Sequence, residues 1–209
     1  MPVPKRLIEN GARCQLKPTE YHLFDVLYSK FMSNSTKQNK ILAFYLGQQP
    51  DSQGRAIEHI WSWDYQKLES VHNYIQWLFP LREKSRFNSS APTLNDEVIQ
   101  AFRTSEELKN RLLHSFKVML AFYGLECREG ENAEIVITKS AEYLSRKREW
   151  IEKFNHNYLR LTRILTSLTE LGLKNYALAL FRCLDEIYNE NQKIIGLNTY
   201  TYWKNAVNT

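Results

Sequence analysis

The run Tyr74-Ile75-Gln76-Trp77-Leu78-Phe79-Pro80-Leu81-Arg82 constrains this chain more than any other stretch, because it is almost wholly apolar and then stops at a proline. Upstream of it, Leu68, Val71, Ile75 and Leu78 recur at the spacing of one helical stripe, with Tyr74 beside them. That spacing predicts a single helix from Leu68 to Phe79. Trp77 and Phe79 fall outside the stripe, so the helix is apolar over more than half its circumference and belongs between several neighbours. Proline disfavours the α conformation at the residue before it and brings no amide to the next turn, so the helix ends near Phe79. Glu69, His72 and Gln76 share the narrower polar side, either as a binding face or as polar groups satisfied inside a packed interior.

The length of 209 residues suits one domain, with or without an appended segment, and 43% hydrophobic and 13% aromatic content exclude a disordered chain. No run reaches the roughly eighteen apolar residues of a membrane helix, and the first residues lack the apolar core of a secretory leader. On those grounds the expected address is cytoplasmic, or nuclear in a eukaryote. Cys14, Cys127 and Cys183 lie far apart at no zinc spacing and read as unbridged thiols.

Taken in order, residues 1–38 read as an arm plus a helix whose Leu23, Val26, Leu27 and Phe31 share a face. The polar run 33–40 marks the boundary of a main domain, 39–191, and 192–209 form an aromatic tail that is either a short docking helix or a partly free end. Pro50 to Gly54 is a turn. Thr93 and Thr104 open two helices, Thr104 and Glu107 having the capping-box spacing. In the second, Leu108, Leu112, Phe116, Met119 and Tyr123 make a long stripe that Gly124 closes. Residues 129–132 form a turn, and 134–138 are the one place for a brief extended segment. Tyr143, Trp150 and Phe154 mark a further helix. Tyr158, Leu161, Leu165 and Leu168 mark the next, ended by Gly172, and Tyr176 to Tyr188 another. Short links favour antiparallel packing, so the fold class is all-α, an irregular helical bundle.

His156, Arg160 and Arg163 fall at i, i+4 and i+7 as a cationic edge. Facing His72 and Gln76, that edge would line a pocket for a carboxylate or phosphate, since guanidinium offers paired donors to planar anions. Otherwise, Arg160 and Arg163 pair with Glu69, Asp64 or Glu58 across a helix interface. From Lys139 to Arg182 nine Lys or Arg stand against four Glu in a chain of net charge +5, a surface open to nucleic acid or simply a solvated face. No phosphate-cradling glycine loop, metal-ligand spacing or nucleophile motif is present, which argues against an enzyme; no cofactor is expected.

Asp64-Tyr65, Leu68-Glu69, His72 and the run Tyr74 to Arg82 with Glu83 resemble the conserved region of the opioid growth factor receptor family. So do Phe122-Tyr123-Gly124 and the run Leu159 to Leu165 continuing through Ser167-Leu168 to Leu173. Phe44-Tyr45, Pro50, Gly54 and Ile57 to Ile60 fit more loosely. The resemblance covers roughly Asn39 to Tyr188. It implies a helical domain of a receptor-like signalling protein that binds the enkephalin pentapeptide, restrains cell growth and is associated with the nucleus. The residues of the family motif, His72, Gln76, Trp77, Arg82, His156, Asn157, Arg160 and Arg163, are the candidate ligand contacts; no catalytic role comes with them. The leading expectation is therefore a non-enzymatic domain binding a peptide or protein. A small anionic ligand and nucleic acid are the alternatives.

Overall fold

The computed structural model describes residues 39–86, 88–130 and 134–208. The N-terminal arm with its expected helix, Cys14, and positions 131–132 of the expected turn lie outside the described residues. Ten helices and one hairpin follow in order: α1 (Lys40–Tyr45), α2 (Ile57–Trp61), α3 (Tyr65–Ser70), α4 (Ile75–Leu78), α5 (Asp96–Thr104), α6 (Glu106–Tyr123), β1 (Leu125–Glu129), β2 (Ile135–Lys139), α7 (Tyr143–Trp150), α8 (Asn157–Glu170), α9 (Lys174–Ile195) and α10 (Leu197–Ala206). The fold is mostly helical, as the periodicity requires. The strands pair antiparallel, Leu125 opposite Lys139 and Cys127 opposite Ile137. β2 is the expected extended segment. Its partner β1 was overlooked, although Leu125, Glu126, Cys127 and Arg128 alternate apolar and charged as a half-covered strand should.

α6 behaves as its stripe predicts: Leu108, Leu112, Phe116, Met119 and Tyr123 are all buried. The caps differ from the expected ones. Asn95 and Ser105, not Thr93 and Thr104, accept from Val98 N and Leu108 N at the starts of α5 and α6. Thr104 is instead the last residue of α5 and its hydroxyl donates back to Gln100 O. Each such cap contributes about 1 kcal/mol. The C-terminal residues form α10, which packs on α8 and buries Trp203 completely.

The larger departure is at the central run. One helix was expected from Leu68 to Phe79, and the chain forms two short ones, α3 and α4, with Val71 extended between them (φ −92°, ψ 130°). Asn73 holds the break open: its Oδ1 accepts from Arg55 Nη1 at 2.9 Å and its carbonyl from Asn88 Nδ2 at 3.1 Å. The consequence is that Glu69, His72 and Gln76 do not share a face. Helix α4 ends at Leu78, ahead of Pro80.

Gly124 turns the end of α6 into β1 with φ +75°, and a Cβ there would lie 2.7 Å from Tyr143 Cα and 2.9 Å from Arg146 Cβ. Gly124→Ala combines left-handed strain with a backbone clash, so urea denaturation should show a loss of about 2–4 kcal/mol.

Candidate functional site

Breaking the central run into two helices leaves several carbonyls without helical partners, and α8 supplies the donors. Arg160 is the main one. Its Nη1 donates to Leu68 O at 2.9 Å, and its Nη2 to Val71 O at 2.9 Å and Glu69 O at 3.2 Å. A guanidinium at the C-terminus of α3 thus satisfies the last carbonyls of that helix and meets the negative end of its dipole. The side chain is sealed, with the residue 4% exposed, and its plane lies over Tyr74, 5.6 Å from the ring centre. Three residues on, Arg163 Nη1 donates to Phe79 O at 3.1 Å, and a further turn along, the Ser167 hydroxyl donates to Pro80 O at 3.0 Å. Positions 160, 163 and 167 share one face of α8, so one helix face serves the whole run. Burial lowers the pKa of Arg163.

Asn157 extends the arrangement. Its amide donates to Glu69 Oε2 at 3.0 Å, and its oxygen accepts from Arg160 Nη1 at 3.3 Å and from the Tyr123 hydroxyl at 3.4 Å. Burial pushes the Tyr74 and Tyr123 hydroxyls up, so both stay neutral and donate, Tyr74 to Leu68 O at 3.0 Å. Gln76 and Trp77, 5% and 3% exposed, face inward; Trp77 meets Phe44 edge to face at 5.2 Å. Gln76 Oε1 and Trp77 Nε1 are buried with no hydrogen-bond partner.

The structure therefore divides the eight candidate residues. Gln76, Trp77, Asn157, Arg160 and Arg163 are bonded or packed within the fold. Arg82 stands apart on the surface, 2.7 Å from Asp96 and 3.9 Å from Glu170. His72 and His156 alone meet at a solvent-facing edge, with ring centres 4.9 Å apart. Beside them, His156 Nε2 is 3.3 Å from Glu69 Oε1, an ion pair when the ring is protonated. The pocket of two histidines and two guanidiniums expected from spacing does not form, because the donors of Arg160 and Arg163 are turned onto main-chain carbonyls. Among the described residues no group of three His, Cys, Asp or Glu could hold a metal ion. A surface pocket lined by Glu134, Ile135, Asn175, Leu178 and Arg182 contains none of the eight. The basic segment is also largely engaged: Lys139 pairs with Glu190, Arg182 with Glu134, and Arg146 Nε donates to Phe122 O.

One residue at this edge escaped the sequence reading. Phe154 was assigned to the apolar stripe of α7, but that helix ends at Trp150. Phe154 lies in the following turn, 98% exposed, with φ +62°. The available signal was the polar cluster Asn155-His156-Asn157 directly after it, whose Asn155 Oδ1 accepts from Asn157 N at 2.9 Å to begin α8.

The site is thus an exposed His/Glu/Phe edge mounted on a sealed polar rack. The chain matches the opioid growth factor receptor (OGFr) conserved region over residues 34–209 and belongs to that family. It is 40% identical to opioid growth factor receptor-like protein 1 of Xenopus tropicalis over 139 residues, 65% of this chain and 26% of that one. To the mouse (Mus musculus) opioid growth factor receptor it is 38% identical over 147 residues, 68% of this chain and 22% of that one. To the human (Homo sapiens) receptor it is 37% identical over 122 residues, 58% of this chain and 17% of that one. The chain therefore spans between 17% and 31% of the length of curated relatives such as these. No solved structure matches it. The cytoplasmic address expected from composition is overturned by this membership: relatives named as receptors do not support it. The missing apolar run excluded only a spanning helix and assigned no compartment. Among the described residues no helix is long and apolar enough to cross a membrane.

Arg160→Ala would leave the carbonyls of Glu69 and Val71 without a side-chain donor and that of Leu68 with the Tyr74 hydroxyl alone, and should cost about 3–5 kcal/mol in urea denaturation. Arg160→Lys should recover only part, since one ammonium cannot span three acceptors. By contrast, His72→Gln at the open edge should stay within about 0.5 kcal/mol.

Desolvation and the neighbouring Arg160 lower the pKa of His156 below 6.5, with His72 adding to the shift and Glu69 opposing it. A depressed histidine binds its proton more readily in the unfolded chain, so its contribution to stability is complete above the unfolded pKa and falls away as pH drops through the folded one. Chemical denaturation from neutral pH downward should show this decline. His156→Gln should flatten it.

Proposed function

We propose that this domain is a non-enzymatic binding module that takes a peptide or protein partner at the corner between α7 and α8, with Phe154 as the apolar anchor and His72, His156 and Glu69 beside it. One observation carries the reading. A large aromatic in left-handed backbone costs about 1–2 kcal/mol, and a ring in solvent gains nothing from burial, so the fold itself has no use for Phe154 in this state. A partner that covers the ring would supply the missing burial. His156 follows two residues later and lies against His72 with the ring planes tilted by 56°, which places polar contacts next to the anchor. Asn157 and Arg160 hold this edge in place from behind through Glu69, while Gln76, Trp77, Arg163 and Arg82 take no part in it. The relatives are named as opioid growth factor receptors, and an opioid peptide is accordingly the first ligand to test.

Fluorescence polarisation of a labelled enkephalin pentapeptide on the 209-residue chain provides that test. Phe154→Gly relieves the backbone and removes the ring, so its stability should match or exceed that of the parent to within about 1 kcal/mol while its affinity falls about tenfold or more. Undiminished affinity in Phe154→Gly would remove the anchor from the site. Failure of the parent chain to bind the pentapeptide would dismiss the opioid-peptide ligand.

A further inference from the structure

A second surface uses none of the residues of the Phe154 corner. The turn from α2 into α3 carries aromatic side chains at alternate positions, Trp61, Trp63 and Tyr65, and lies along α6. Trp61 lies against His114 with ring centres 4.2 Å apart and planes tilted by 41°, and donates from Nε1 to Ser115 Oγ at 2.9 Å, whereas Tyr65 meets Phe122 at 6.2 Å. His114 and Phe122 are two turns apart on α6, about 12 Å. Trp63 lies between Trp61 and Tyr65 in the chain and meets Tyr74 edge to face at 5.4 Å, and the three make up an aromatic row along the turn, each partly exposed.

Every ring in the row carries a cation. Arg111 lies 5.0 Å from the centre of Trp61, Lys67 and Arg55 lie 4.8 and 5.5 Å from Trp63, and Arg146 lies 4.4 Å from Tyr65. Two of these charges are answered inside the fold, Arg111 by Glu58 and Arg55 by Asp51. Among the described residues Lys67 and Arg146 have no carboxylate within ion-pair distance. The imbalance therefore falls on Trp63 and Tyr65. With a cation over its face, an aromatic ring presents outward mainly its edge, which is the positive end of its quadrupole. At the rim of this pair the cations Lys67 and Arg146 outnumber the one carboxylate between the rings, Asp64, whose Oδ1 accepts from Lys67 N at 2.7 Å as the cap of α3; with the flat apolar rings this favours carboxylates carried on a chain able to lie along them.

We propose that Trp63, Tyr65, Lys67 and Arg146 form a docking surface for an acidic peptide segment of a protein partner. Carboxylates of that segment meet Lys67 and Arg146, and its backbone and apolar atoms cover the two rings. This surface is independent of the Phe154 corner, and either one stands without the other.

The probe is a short fluorescein-labelled peptide of alternating glutamate and tyrosine, titrated onto the full chain, with a lysine–tyrosine peptide and labelled oligothymidylate as comparisons. The acidic peptide should bind and the basic one should not. Lys67→Glu and Tyr65→Ala, both at exposed positions, should each weaken binding by about tenfold, with circular dichroism unchanged, while Phe154→Gly leaves it intact. The indole N–H resonance of Trp63 should shift on titration. Equal binding by Lys67→Glu, equal binding of the basic peptide, or an unmoved Trp63 resonance would overturn the proposal. Tighter, strongly salt-dependent binding of oligothymidylate would also overturn it, making the row a stacking platform for nucleic acid.

Discussion

The arrangement depends on how main-chain carbonyls are satisfied where the central run abandons regular helix. A buried carbonyl without a donor costs on the order of 1–3 kcal/mol, and the chain between Leu68 and Pro80 presents at least six. Three go to Arg160, one each to Arg163 and Ser167, and that of Leu78 to the Tyr45 hydroxyl. With those bonds in place, α3 and α4 can sit at different angles under the rest of the core. Without them the most apolar stretch of the sequence would have to be the single helix that its spacing suggests.

This explains why residues with the chemistry of a ligand site are mostly occupied elsewhere. Arginine and asparagine on a helix near two histidines look like a device for gripping an anion, and spacing gives no hint that their donors are already spent. What reaches solvent is the fringe of the network: His72, His156, part of Glu69, and Phe154 just ahead of α8. The two unpartnered atoms of Gln76 and Trp77 lie on the apolar side of the same run, where the α4 turn packs against Phe44.

Much of the fold was legible. The stripe of α6, its closure at Gly124, the stripes of α8 and α9 and the stop at Pro80 all follow from period and local backbone preference, which act within a few residues. The departures have non-local causes. The break at Val71 is imposed by Arg55 from one side and by Arg160, some ninety positions later, from the other. Phe154 joined the stripe on the page because three apolar residues happened to fit it, while the capping cluster that begins α8 ended the period early. β1 was readable from its alternation but is too short to stand out beside a helix. Of the candidate site, residue identities could be read from the motif; whether each faced solvent or a carbonyl could not, because direction depends on the partner element.

Arg160 has a further consequence for how such a sequence can change. Three of its acceptors are backbone atoms, which every residue carries, so substitutions at 68 and 71 leave those acceptors in place, whereas a change at 69 also removes the carboxylate that faces Asn157 and the guanidinium. The reverse does not hold. No side chain introduced at those three positions can replace a donor lost from position 160, and the usual route of paired exchange across an ion pair is closed. Drift in this domain is therefore one-sided: permissive at 68 and 71, and nearly barred at a single point on α8.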